Sequence, residues 1–308
     1  MISIHARNVI AIVFAFVIAG CTGADDAPSP DAAATDPSSS TPLCIAERVA
    51  TLPSVLSEAS GVTASHAYPG ILWAHNDGDT DYIGPTIVAI DTLGSLHGSI
   101  RIAGLPRDSD REDIAIAPCG GRDCIYVADI GDNAGRRPAV RILRFPEPDP
   151  DVDSDVAQPD VFIARYPDRA HDAEAFFILP GERAFIITKG RDGPVALYAY
   201  PAPLRADTVT LTHVQDLSTG LVQLPSMVTG ASAAVDGRFI AVRTYSFVRR
   251  FAPGAGDSLH AVADSIPLAA LREPQGEGVA LTSSGTLFFV SENGFANAAP
   301  PLGRMTCH

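Results

Sequence analysis

Five times between residues 58 and 292 the chain repeats one pair of short runs. A run of small residues opens on an acidic or hydroxyl side chain, a turn follows, and a more apolar run ends in polar side chains. The openers are Glu58, Glu112, Glu174, Thr229 and Glu277, spaced 54, 62, 55 and 48 residues apart. The apolar runs include Ile71-Leu-Trp-Ala-His-Asn, Cys124-Ile-Tyr-Val-Ala-Asp and Ala184-Phe-Ile-Ile-Thr-Lys. After most pairs come a third and a fourth run, such as Val195-Ala-Leu-Tyr-Ala-Tyr and Val209-Thr-Leu-Thr. The 26 Gly and 25 Pro break the chain too often for long helices. Short β-branched and aromatic runs at this spacing read as strands. Four antiparallel strands per unit of about 40–50 residues make the blade of a β-propeller. Residues 44–308 are therefore expected to form an all-β fold, a single β-propeller of five four-stranded blades. Six blades are the alternative, and a β-sandwich is the competing architecture.

Ring closure follows from what is missing. Only 16 residues follow Glu292, too few for two strands and their loops. The segment Cys44–Leu52 can supply the last outer strand, so the N-terminal strand of the domain closes the ring. The five cysteines fit this arrangement. With Cys21 set aside, Cys44, Cys119, Cys124 and Cys307 leave an even number, as disulfides in an exported chain require. Cys119 and Cys124 flank a Gly-Gly-Arg-Asp turn, and Cys44 with Cys307 would join the first folded residues to the last. Free buried thiols are the alternative.

The first 20 residues read as an export signal: a short start ending in Arg7, then the apolar stretch Val9–Ala19, too short to span a bilayer comfortably. Ile18-Ala19-Gly20-Cys21 resembles the lipobox of bacterial lipoproteins, which implies cleavage before Cys21 and its lipidation. Thr22 after the cysteine implies the outer membrane of a Gram-negative cell, with the chain anchored and not crossing. Residues 21–43 hold four Asp, four Pro and no aromatic, and read as a disordered tether. The net charge is −14, of which −11 belongs to residues 44–308. An acidic field of this size repels phosphate backbones, so nucleic acid is excluded as a partner. No G-x-S-x-G, H-E-x-x-H or P-loop motif occurs.

In a propeller the heads of the inner strands converge on one axial mouth. By this spacing the mouth receives Glu58, Glu112, Asp113, Glu174 and Glu277, with His75, Asn76, Asp77, Asp129, Asp132, Asn133, Lys189, Arg243 and Glu292. Clustered carboxylates need a counter-cation, and oxygen ligands suit Ca²⁺ before Mg²⁺. The alternative is a solvated acidic rim. Candidate metal ligands are Glu58, Glu112, Glu174, Glu277, Asp132 and Asn133, the last two from an Asp129-Ile-Gly-Asp-Asn run that could equally form an Asx turn. The alternating acids Asp77, Asp79 and Asp81 resemble the start of an EF-hand loop, but Tyr82 and Val88 break that pattern. His75 or Asp129 could act as general base. Lys189, the chain's only lysine, and Arg243 could hold an anionic substrate group.

Trp73-Ala-His-Asn-Asp-Gly-Asp, Arg111-Glu-Asp-Ile-Ala, Asp129-Ile-Gly-Asp-Asn, Arg136-Arg137 with Glu147-Pro148, and Asp172-Ala-Glu-Ala resemble a family of exported bacterial β-propellers. Gln275-Gly-Glu-Gly-Val-Ala with Phe289-Val-Ser-Glu-Asn is similar to the esterase-like phytase and lactonase-type propellers. That second resemblance implies an axial calcium facing a hydrolysable ester or phosphoester. The fourth blade departs from it, with Thr229 and Arg243 where acids are expected. The expected function is thus a lipid-anchored, calcium-dependent hydrolase of phosphoesters, esters or lactones. The alternative is a non-catalytic propeller that binds a small anionic ligand or an envelope partner.

Overall fold

The computed structural model describes residues 44–77, 85–105, 109–156, 158–294 and 299–307. The expected signal, Cys21 and the tether lie outside these residues, as do Asp79 and Asp81. Five sheets begin with the inner strands Ala59–Ala64, Arg111–Cys119, Ala173–Leu179, Val228–Ala233 and Gln275–Leu281, which define blades 1 to 5. Each inner strand pairs antiparallel with the next strand in the chain, through a tight turn. Neighbouring inner strands pack together in ring order, and blade 5 returns to blade 1. The fold is a five-bladed β-propeller, and the six-bladed alternative is excluded.

Both faces of each sheet are covered, which is why the strands read as continuous apolar runs. Successive side chains of a strand leave by opposite faces. Leu72 and Ala74 enter the apolar layer shared with blade 5, while Trp73 between them enters the layer shared with blade 2. The buried apolar residues accordingly divide into five clusters, one at each junction between neighbouring blades.

Strand Cys44–Thr51 pairs antiparallel with Pro301–Cys307 and supplies the outer strand of blade 5. Cys44 stands opposite Cys307, and a disulfide joins them across a sequence separation of 263. Chain-entropy reasoning assigns such a long loop about 5–6 kcal/mol of stabilisation. A second disulfide joins Cys119 to Cys124 across the first turn of blade 2. Three blades carry five strands where four were expected; in blade 4 both Leu259–Ala261 and Ile266–Pro267 pair with Phe247–Pro253. Ser154–Val156, from the blade 2 segment, runs parallel to Leu96–Ile102 of blade 1. Val209–Thr210, from the blade 3 segment, runs parallel to Asp160–Arg165 of blade 2. Parallel additions come from distant sequence and carry no hairpin signal.

One buried carboxylate ties the inner strands together. Asp113 is fully enclosed. Its Oδ1 accepts the Ile114 amide at 2.9 Å, and its Oδ2 accepts the Phe176 amide of blade 3 at 2.8 Å and the Ala231 amide of blade 4 at 3.0 Å. Burial pushes this carboxyl well above the usual range, and the three amides work in the opposite direction. Asp113→Asn keeps the shape but sets an N–H₂ group against amide donors. A buried donor left unmet costs about 1–3 kcal/mol. We expect D113N to lower the unfolding free energy by about 2–3 kcal/mol, read from urea midpoints at unchanged m-value. A loss below about 0.5 kcal/mol would show that the junction contributes little.

Candidate functional site

Every inner strand slips its register against the second strand near its head. The slips fall between Ala59 and Val62, Arg111 and Asp113, Ala173 and Ala175, Val228 and Gly230, and Gly276 and Val279. A β-bulge of this kind re-aims the residue inside it. The bulged positions hold Ser60, Glu112, Glu174, Thr229 and Glu277. Glu58, read from the sequence as the first opener, lies before the strand and forms a bridge with Glu292; Ser60 has its place. The two hydroxyls do equivalent work. Ser60 Oγ donates to the Glu112 carbonyl at 2.7 Å, and Thr229 Oγ1 donates to the Glu277 carbonyl at 2.9 Å. Each thereby fastens its bulge to that of the following blade. The other three positions place the carboxyls of Glu112, Glu174 and Glu277 at the axis, all buried.

A second tier comes from the ends of the second strands. By register, Asp77, Lys189, Tyr245 and Glu292 follow Asn76, Thr188, Thr244 and Ser291, the partners of the strand heads. Lys189 Nζ donates to Glu174 Oε1 at 2.5 Å and lies 5.9 Å from the centre of the Tyr245 ring. Gln275 Nε2 donates to Glu277 Oε1 and to Glu292 Oε2, both at 2.8 Å. Glu277 Oε2 is buried and has no partner. Asp77, Asp110 and Glu112 each offer an oxygen, and the three oxygens lie within 4.8 Å of one another.

Gly131 makes room for this group. A Cβ at position 131 would stand 2.1 Å from Glu112 Oε1 and 2.6 Å from Asp110 Oδ2. The Asp129-Ile-Gly-Asp-Asn run thus serves the site through its glycine.

The charges of this tier are held at a cost. Burial pushes Glu112 well above the usual carboxylate range, and Glu174, Asp77 and Asp110 add to the effect. Glu277 is raised in the same way by burial, then by Glu174 and Glu292. Burial raises Glu174 against the pull of Lys189, and Asp172 adds to the rise. Glu292 is pushed up to about 7 by burial, then by Glu58, Asp77 and Glu174. Burial works against the Lys189 ammonium, yet Glu174, Tyr245 and Glu277 hold its pKa above the ordinary value. Lys189 is therefore a fixed cation and no amine nucleophile.

Several residues singled out by sequence stand elsewhere. His75 is fully enclosed, and its Nδ1 is 2.9 Å from the Asn76 carbonyl. Burial, then Arg111, pull its pKa down to about 4. Arg243, also fully enclosed, donates from Nη1 to the carbonyls of Gly278 (2.7 Å) and Val290 (2.9 Å) and pairs with Glu273 at 2.5 Å. Both residues lie two positions before the second-tier residue of their blade and bond inside the blade junctions, so neither is offered to a substrate. Asp129 is paired with Arg137 at 2.6 Å and Arg141 at 2.8 Å. Asp132 accepts the Arg137 amide at 2.7 Å, and exposed Asn133 accepts from Arg191 at 2.9 Å. These three hold the loop between the second and third strands of blade 2; Asp129 Oδ1 also accepts the Asp110 amide at 2.8 Å and so braces the axial group, but none of the three belongs to it. Asp110, Gln275 and Tyr245 were missed, because they stand outside the opener pattern. Their one signal is adjacency: Asp110 and Gln275 each lie two residues before an opener.

No protein-family model matches the sequence, and no curated protein matches it. The resemblance to an exported family therefore stands on its motifs alone. Solved structures do share the architecture. The PQQ-bound aldose sugar dehydrogenase from Streptomyces coelicolor aligns with TM-score 0.52 and 14% identity, covering 86% of this chain and 99% of that one. A glucose dehydrogenase aligns with TM-score 0.49 and 11% identity over 84% of this chain and 99% of its own. A gluconolactonase from Xanthomonas campestris gives TM-score 0.44 and 15% identity over 82% of this chain and 73% of its own. At these identities the likeness is one of fold, that of a β-propeller.

Proposed function

We propose that the axial mouth binds one divalent cation, Ca²⁺ before Mg²⁺, on Asp77, Asp110 and Glu112, and that the loaded mouth hydrolyses small esters, lactones or phosphoesters. The observation that carries the reading is the approach of three carboxylate oxygens to within 4.8 Å beside buried Glu112. Two like charges at that distance repel by about 3–4 kcal/mol at an effective dielectric of 20. The donors fit the ion: all are hard carboxylate oxygens, and Ca²⁺ accepts the irregular geometry that Mg²⁺ resists. The unpartnered, buried Glu277 Oε2 is a further sign that the mouth is short of positive charge.

When bound, the cation would act as a Lewis acid on a substrate oxygen. Glu292 supplies the base. With its carboxyl poised at about 7 it takes a proton from water near neutral pH, as a general base must. His75 and Asp129, the bases read from the sequence, give up that role because one is enclosed and the other doubly ion-paired. Gln275 orients Glu292 through the bond at 2.8 Å. The proposal includes a lipid on Cys21 that holds the chain to a bacterial outer membrane. A non-catalytic mouth that grips a small anionic ligand or an envelope partner is the second reading. The enclosure of His75 favours it, since no histidine is then left for proton transfer at the mouth among the described residues.

Three outcomes are expected. Calorimetric titration of the chelator-stripped protein with Ca²⁺ should show one site of micromolar Kd, weakened at least tenfold by D110N or E112Q. Absence of binding at millimolar Ca²⁺ rejects the reading. In a panel of esters, lactones and phosphoesters, E292Q should abolish turnover while leaving Ca²⁺ binding in place. Turnover by no substrate in the panel leaves the binding module.

The third outcome concerns pH. Glu292 is raised in the folded state from an ordinary 4.5 to about 7. Between those values the native protein binds more protons than the unfolded chain, so this group removes stability as pH rises. His75, lowered from 6.5 to about 4, contributes the opposite slope with or without cation. The gain in Tm on adding Ca²⁺ isolates the mouth and should grow from pH 5 to pH 7.5. A gain independent of pH would show that the raised carboxyls do not face the ion.

A further inference from the structure

We propose that the Lys189 ammonium occupies the place of a second metal ion in the mouth, so that the site takes up one divalent cation and not two. The inference rests on the reading of the mouth as a cation site, and it concerns the side away from Asp77, Asp110 and Glu112. Glu174 and Glu277 come from blades 3 and 5, and both are nine-tenths buried or more. Lys189 Nζ donates to Glu174 Oε1 at 2.5 Å and lies 5.9 Å from the centre of the Tyr245 ring. Glu277 Oε2 is buried without a partner. One ammonium thus faces two carboxylates, which leaves a negative charge unmet. A single divalent ion would balance the pair and could take oxygens from Glu174, Glu277 and Tyr245, a hard donor set.

The residue type supports the substitution of an ion by a side chain. Position 189 is the only lysine among 22 Lys and Arg residues. An ammonium is a compact point charge, whereas a guanidinium is a planar fork that needs paired acceptors. The backbone holds this charge in place. The Lys189 amide donates to the Asp172 carbonyl at 2.9 Å, and the Lys189 carbonyl accepts the Val228 amide at 3.1 Å. The next residue, Gly190, accepts the Val222 amide at 3.0 Å. A fixed, buried ammonium bound to a carboxylate has no freedom to swing out to a substrate anion.

The test is the number of Ca²⁺ ions bound by the chelator-stripped chain and by K189M, counted by calorimetry and by elemental analysis after dialysis. The expected change is from one ion to two, with K189M/E277Q returning to one. If the wild type binds one ion and K189M still binds one, the inference is overturned and the cation site stands. If the wild type binds none and K189M binds one, the inference holds and the single-ion reading of the wild type fails. Binding by neither overturns both. A K189M that folds only when Ca²⁺ is added supports the inference, because the ion then does what the ammonium did. A K189M that stays unfolded at millimolar Ca²⁺ overturns it.

Discussion

Three amides from three blades converge on the Asp113 carboxylate, and this junction fixes how closely the inner strands approach the axis. Its effect reaches the mouth through a single peptide step. Glu112 precedes Asp113 inside the bulge, so anchoring one carboxyl below sets the position of the other above. Ser60 repeats the coupling from blade 1, since its hydroxyl holds the Glu112 carbonyl. The glycine at 131 then lets Glu112 and Asp110 lie against the backbone of the neighbouring loop. Structure and site are one network here: the interactions that hold blades 2, 3 and 4 together also bring acidic side chains to one focus.

That focus is electrostatically unfavourable when empty. Burial and mutual repulsion raise Glu112, Glu277 and Glu292 together, and Lys189 offsets only part of the imbalance. A fold tolerates such concentration of like charge where function requires it. In the proposed reading, a resident ammonium on one side and a cation on the other would divide the compensation between a permanent charge and an exchangeable one.

The architecture was legible because period and polarity repeat even where identity does not. Intervals near 55 residues, small residues in the first run and apolar ones in the second are what five sheets packed on both faces demand. The joining of the first strand to the last was equally legible from the shortage of chain after Glu292. The site was only partly so. Glu58 looked like the first opener because it is a glutamate, whereas the bulge selects Ser60, whose hydroxyl does the same fastening as Thr229. His75 and Arg243 looked functional because they are polar at a strand end. A slip of two residues, invisible without the register, puts them inside blade junctions while Asp77 and Tyr245 take the second-tier positions. Asp110 lies just ahead of its strand, and its meeting with Asp77 depends on how two blades sit side by side. No local pattern carries that information.

The central claim is that Asp77, Asp110 and Glu112 share a divalent cation. Diffraction from crystals soaked in Mn²⁺, recorded at a wavelength where manganese scatters anomalously, tests it most directly. The account predicts one anomalous peak at the axis within about 2.6 Å of an oxygen from each of the three residues. The peak should disappear when Ca²⁺ competes. An axis without a peak at saturating Mn²⁺, or a peak held by other side chains, would contradict it.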